Sequence, residues 1–143
     1  MRIRIKRVDK SIPLPEYQTP GATSMDLYAG KNVEVLPDKT AYIPLNVVMK
    51  IPDGYVGILA VRSSTHKMGL MPVNGIGIID PDYCGDEDVW TLAVWNFTKK
   101  KVTVEKGIRI AQILILPREK ADWVEVETMG ERNRGGFGST GKK

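Results

Sequence analysis

Three short segments of this chain hold the residues most capable of chemistry. Asn74-Gly75-Ile76-Gly77-Ile78-Ile79-Asp80-Pro81-Asp82-Tyr83-Cys84-Gly85 is an apolar run that ends in a carboxylate, a turn and an aromatic ring. A carboxylate at a strand end can serve as general base or hold a metal ion. Asp-Pro-Asp is also good turn chemistry, and an ordinary hairpin uses the same residues. Val61-Arg62-Ser63-Ser64-Thr65 sets a guanidinium and consecutive hydroxyls directly after a hydrophobic run. That set can seat a phosphate, or it can simply make a polar turn. The tail Arg132-Asn133-Arg134-Gly135-Gly136-Phe137-Gly138-Ser139-Thr140-Gly141 combines paired glycines, hydroxyls, arginines and one aromatic. Glycines let backbone amides approach phosphate oxygens, and Phe137 offers a flat face to a base; a flexible Gly/Ser end has the same composition. His66, the sole histidine, reads as a surface or packing residue. The acidic trio Asp86-Glu87-Asp88 reads as a solvated loop tip, and Lys99-Lys100-Lys101 as a solvated turn.

The elements that must position these residues are short strands. Ile3 and Ile5 share one face of a first strand and Arg2, Arg4 and Lys6 the other. After a turn-rich stretch with Pro13, Pro15, Pro20 and Gly21, strands are expected at 33–36, 41–45 and 47–51. Pro52-Asp53-Gly54 is a strong turn signal. Further strands are expected at 55–61, 75–79, 89–97, 102–105, 108–116 and 123–127, with room for one short helix at Ser64 to Gly69. Short, evenly spaced strands indicate an all-β barrel or sandwich. From Gly130 onward the composition cannot build a core and is expected to move in the free protein.

Composition narrows the class. A chain of 143 residues is one domain with enough mass for a real core, and 42% hydrophobic with 27% charged residues is ordinary for a globular protein. Its 21 basic and 17 acidic residues give a net charge of +4, which suits an anionic ligand without demanding nucleic acid. Cys84 is the only cysteine, so an intrachain disulfide and a cysteine metal cluster are excluded and a reducing, cytoplasmic setting is expected. Neither a signal peptide nor a membrane-spanning apolar window is visible in the sequence.

Five stretches in series resemble the motifs of the trimeric dUTPase family. Ser24-Met25-Asp26-Leu27-Tyr28-Ala29 is similar to the first and Arg62-Ser63-Ser64 to the second. Asn74 through Gly85 is similar to the third, Gly107-Ile108-Arg109-Ile110-Ala111-Gln112 to the fourth, and Arg132 to Gly141 to the fifth. Each alone is a weak pattern; all five in order make a specific one. The resemblance implies a distorted jelly-roll-like β-barrel over residues 1–130 and a Gly-rich arm, 131–143, that closes over a neighbouring subunit's active site. It implies hydrolysis of dUTP to dUMP and pyrophosphate, which keeps uracil out of DNA and supplies dUMP for dTMP synthesis. Asp80 would activate the water that attacks the α-phosphorus. Tyr83 would pack on the deoxyribose, and Asn74 with the segment's backbone at Gly77 and Ile79 would read uracil. Arg62, Ser63, Ser64 and Gln112 would hold the phosphates, and Asp26 would anchor Mg²⁺ through water. In the arm, Arg132 or Arg134 would grip the γ-phosphate with Gly138, Ser139 and Thr140, while Phe137 stacks on the base. The family is homotrimeric with sites shared among subunits, and neither nucleic acid nor a membrane is an expected partner.

The chain departs from the family pattern at Val61 and Ser64, where Pro and Gly are usual, at Ile108, where Asp is common, and in the longer loop at Asp86-Glu87-Asp88. Two other readings remain. A dCTP deaminase resembles the chain at Arg62-Ser63-Ser64 and Ile79-Asp80-Pro81, but that chemistry needs a Glu, and residues 62 to 86 contain none. A regulatory protein that binds dUTP without turnover would carry the same binding residues.

Overall fold

The computed structural model describes residues 1–136. Among them eleven strands run in chain order: β1 (Arg4–Arg7), β2 (Met25–Tyr28), β3 (Val33–Val35), β4 (Thr40–Pro44), β5 (Val47–Lys50), β6 (Tyr55–Val61), β7 (Leu70–Pro72), β8 (Gly77–Ile79), β9 (Thr91–Asn96), β10 (Val102–Val104) and β11 (Arg109–Pro117). One 3₁₀ turn, Thr65–Met68, lies between β6 and β7. All pairings are antiparallel, in the orders β1-β5, β10-β3, β2-β11-β6-β8 and β4-β9-β7. The four sheets close around one apolar cluster in which Trp90, Leu27, Ile43, Leu45, Ile110 and Ile113 are fully buried. This is the jelly-roll-like, all-β architecture expected from the sequence.

Turn chemistry sets the joints. Gly54 adopts φ +78°, as the Pro52-Asp53-Gly54 turn requires, and Tyr55 N–H closes it on the Pro52 carbonyl at 3.2 Å. Asn46 is buried and left-handed, φ +66°. Its amide Oδ1 accepts from Asp9 N–H at 2.7 Å and its Nδ2 donates to the Asp9 carbonyl at 3.0 Å, tying the N-terminal strand to the β4–β5 corner. Buried Asn96 does the same for the lysine run: Nδ2 donates to the carbonyls of Val35 (2.8 Å) and Lys100 (2.7 Å), and Lys99, Lys100 and Lys101 stay in solvent.

Three elements differ from expectation. Met25–Tyr28 and Leu70–Pro72 are strands that the alternation pattern does not announce. Residues 123–127 are not a strand. Arg118 fastens the chain after β11, its N–H to the Gly54 carbonyl (2.9 Å) and its Nε to that of Tyr55 (3.1 Å). Beyond it Trp123 and Val124 stand 93% and 85% exposed, and no strand of the described chain pairs with them. Among the described residues no helix is long and apolar enough to cross a membrane.

Candidate active site

The middle of the four-stranded sheet brings three of the motifs together. Gln112 of β11 stands directly across from Asp26 of β2 on one side and Ala60 of β6 on the other, so all three share the outer face. Arg62 follows β6 by one residue. Its Nε lies 3.2 Å from Asp26 Oδ1, and Arg109 Nη1 lies 3.2 Å from Asp26 Oδ2. The two guanidinium groups cover the carboxylate, whose side chain is only 10% exposed; removing either would leave a buried charge half-compensated. Gln112 is fixed at both ends of its amide: Nε2 donates to the Val61 carbonyl (2.9 Å) and Oε1 accepts from Ser24 Oγ (2.7 Å).

Ser63 and Ser64 project into solvent beside this cluster. Ser64 heads the 3₁₀ turn with φ −89° and ψ −6°, ordinary right-handed backbone, so the absence of the family's usual glycine costs nothing here. Thr65 Oγ1 pins the turn to the Ile110 carbonyl at 3.2 Å, and Gly69 ends it at φ +82°.

The third motif lies elsewhere on the same sheet. Gly75, at φ +72°, turns the chain into β8, which pairs with β6 in the register Leu59–Gly77, Ile58–Ile78 and Gly57–Ile79. A Cβ on Gly77 would approach Leu59 Cβ to 3.2 Å, so the strands meet closely there. Asn74 and Asp80 are exposed at the two ends of β8, and Tyr83 is 42% exposed beyond the turn. Asp80 borders an open cavity of about 560 Å³ with Val56, Ile58, Ile78, Lys50 and Arg118. From Val56, the β6 position level with Asp80, to Arg62 is six strand steps of roughly 3.3 Å, about 20 Å. Within one chain, therefore, Asp80 and Tyr83 stand at one end of the outer face and Asp26, Arg62 and Gln112 near the other. Between them lie Ile58, Ile78 and Leu114, with Ile78 56% exposed; Leu116, 43% exposed, pairs with Val56 in the row that Asp80 extends.

Arg132 and Arg134 are exposed on the chain after β11. The expected contacts of Phe137, Gly138, Ser139 and Thr140 fall outside the described residues. Sequence reasoning gave no role to Ser24, Gln18 or Arg109, yet all three belong to the Asp26–Gln112 cluster, since Arg109 Nη1 also hydrogen-bonds Gln18 Oε1.

Asp26 is the cluster's carboxylate, and among the described residues no group of three or more His, Cys, Asp or Glu side chains is arranged to hold a metal. With guanidinium groups at both its oxygens and only 10% exposure, Asp26 offers an ion no direct ligand and could act on Mg²⁺ only through water.

The sequence matches the dUTPase family over residues 10–141. The chain belongs to the dUTPase family. It is 36% identical to the deoxyuridine 5'-triphosphate nucleotidohydrolase of Dictyoglomus turgidum, with 99% of each chain covered. It is 37% identical to the SPbeta prophage-derived enzyme of that name from Bacillus subtilis, over the whole of both chains. Among solved structures, the Staphylococcus bacteriophage 80alpha dUTPase with dUPNHPP superposes with a TM-score of 0.86 at 26% identity over 98% of each chain. The Streptococcus mutans dUTPase superposes at 0.76 and 27% identity, covering 83% of this chain and 98% of its own.

Proposed function

We infer that this chain hydrolyses dUTP to dUMP and pyrophosphate, at sites assembled from more than one copy of itself. The observation that carries the reading is the register, which sets Asp80 about six strand steps, roughly 20 Å, from Arg62 on one sheet face. A general base and a phosphate seat that far apart cannot serve one phosphorus atom within a chain, whereas a second copy laid on the apolar middle of the face can supply the missing half. A homotrimer, the assembly that the family resemblance implies, would bring the two halves together, and the exposed Trp123 and Val124 would give it further apolar surface to bury.

In that site Asp80 accepts a proton from the water that attacks the α-phosphorus; its exposed position at the end of β8 leaves room for that water. Tyr83 packs on the deoxyribose where a 2′-hydroxyl would clash, and Asn74 with the backbone at Gly77 and Ile79 reads the uracil edge. A base with mismatched donors leaves a desolvated group unpaired, at about 1–3 kcal/mol each. Arg62, Ser63, Ser64 and Gln112 of the neighbouring copy hold the phosphate chain, so that leaving-group charge develops against fixed donors. Asp26 would hold Mg²⁺ through water, and such an ion would supply charge neutralisation at the phosphates. The arm, 131–143, closes the site, with Arg132 or Arg134 on the γ-phosphate and Phe137 over the base.

Pyrophosphate release is measured with dUTP, dTTP, dCTP and UTP in the presence of Mg²⁺. Turnover of dUTP alone is expected. Asp80→Asn should lower kcat by roughly 10²- to 10⁴-fold with nucleotide affinity retained; an Asp80→Asn enzyme of full activity would sink the assignment. Ammonia release from dCTP would mean a deaminase instead.

A further inference from the structure

Arg109 has no part in the reading above, yet the backbone is bent to present it. The register between β11 and β2 shifts between Arg109 and Ala111. Ile110 and Ala111 both point inward and are fully buried, so one residue too many faces the core. In a regular strand Arg109 would lie on the side opposite Gln112; the bulge turns it outward, beside Gln112 and over Asp26.

There it completes a closed arrangement. Arg109 Nη1 takes Asp26 Oδ2 at 3.2 Å and Gln18 Oε1, and the Arg109 carbonyl accepts from Arg62 Nη1 at 3.3 Å. Arg62 Nε takes the other carboxylate oxygen at 3.2 Å. The Asp26 carboxylate is thus held at Oδ2 by a hydrogen bond and at Oδ1 by an ion pair. The Arg62 guanidinium is then held by a hydrogen bond at Nη1 and an ion pair at Nε, and Nη2 makes no protein hydrogen bond among the described residues. A planar guanidinium fixed on two corners presents the third in one direction, as recognition of a phosphate oxygen needs.

We propose that Arg109 is a positioning residue that acts through Asp26 to hold Arg62 in the orientation that receives the phosphate chain, with Gln18 steadying Arg109. This rests on the phosphate-binding role given to Arg62 above. The test is a double-mutant cycle. Arg109→Ala, Arg62→Ala and the double variant are titrated with the imido analogue of dUTP and, separately, with deoxyuridine, which has no phosphate. Arg109→Ala should weaken the imido analogue about tenfold, raise KM for dUTP with a smaller change in kcat, and leave deoxyuridine binding within about twofold. Arg109→Lys, able to reach Asp26 with a single donor, should recover part of the loss. In the Arg62→Ala background the same change should cost less than about twofold, because its target is already gone.

Unchanged analogue affinity in Arg109→Ala overturns the proposal. So does an undiminished loss in the Arg62→Ala background, which would mean that Arg109 meets the phosphates independently, and so does an equal loss of deoxyuridine, which would mean general damage. If Arg109→Ala does not fold, Gln18→Ala is decisive: a phosphate-selective loss of about threefold supports the proposal and none overturns it. Failure of the underlying reading looks different, since wild-type protein would then release no pyrophosphate from dUTP or Arg62→Ala would bind the analogue normally.

Discussion

Two inactive variants should make one active enzyme. Asp80→Asn removes the base and leaves Arg62; Arg62→Ala removes the phosphate seat and leaves Asp80. With about 20 Å between the two positions along the sheet, the proposed site draws Asp80 from one copy and Arg62 from another. When the variants are co-expressed in equal amounts and assort at random, a site works only if its Asp80 comes from an Arg62→Ala chain and its Arg62 from an Asp80→Asn chain. Each condition holds half the time, so about one site in four is intact and the mixture should reach about a quarter of wild-type activity. The arm is wild type in both and does not enter. Each parent alone should retain on the order of 1% or less, so the expected signal exceeds background by more than about tenfold. Steady-state pyrophosphate release, on material purified through one tag that both chains carry, measures it. A mixture no more active than the sum of its parents would refute the shared site.

Gly69 ends the 3₁₀ turn at φ +82°, and a Cβ there would run into the Thr98 methyl group; Gly69→Ala should lower unfolding free energy by roughly 1–3 kcal/mol in urea titrations. Thr98→Ser, which deletes that methyl, should reduce the cost without abolishing it, because the left-handed backbone remains. Asp9 is held well below its ordinary value of 3.8, first by the hydrogen bond from Lys106 and then by Ser11. A depressed carboxylate pKa adds stability above the unfolded value and loses it as pH falls through the folded one. Lys106→Ala should therefore lower the urea midpoint at pH 6, and the gap from wild type should close as the medium is acidified below about pH 3; a gap independent of pH would contradict the pairing.

The sequence predicts the turns and long strands well because their signals are local. Pro52-Asp53-Gly54 needs only its own residues to bend, and Tyr55–Val61 is as apolar as a central strand must be. Met25–Tyr28 is missed because Asp26 sits where alternation would put an apolar or a solvated residue, and only the two arginines, distant in sequence, make its burial tolerable. Leu70–Pro72 is three residues ending in proline, which suits its place at the edge of the β4-β9-β7 sheet and no other. Residues 123–127 alternate like a strand, but a strand exists only where a partner pairs with it, and the described chain offers none. The convergence of Asp26, Arg62 and Gln112 follows from motif order by resemblance alone; physically it is a matter of register, which puts Gln112 between Asp26 and Ala60. Arg109 was out of reach for the same reason, since nothing in Ile110-Ala111 announces that both will face inward.

The outer sheet face joins stability to chemistry in a way that a single substitution can separate. Leu116 lies on the same outer face, cross-strand from Val56 and level with Asp80, and is 43% exposed. In a lone chain Leu116→Glu merely exchanges one solvent-facing side chain for another, within about 0.5 kcal/mol. Against a second copy, the same carboxylate must be buried in an apolar contact, at several kcal/mol per subunit. The variant should therefore keep its fold by circular dichroism and its urea midpoint as a monomer. It should also sediment near 15.9 kDa and lose pyrophosphate release in parallel with assembly, although every residue assigned to the site is intact. High protein concentration should restore trimer and activity together, because mass action favours the association that the charge opposes. A Leu116→Glu monomer with full turnover would show that one chain holds a whole site, and the division of labour across the sheet face would have to be abandoned.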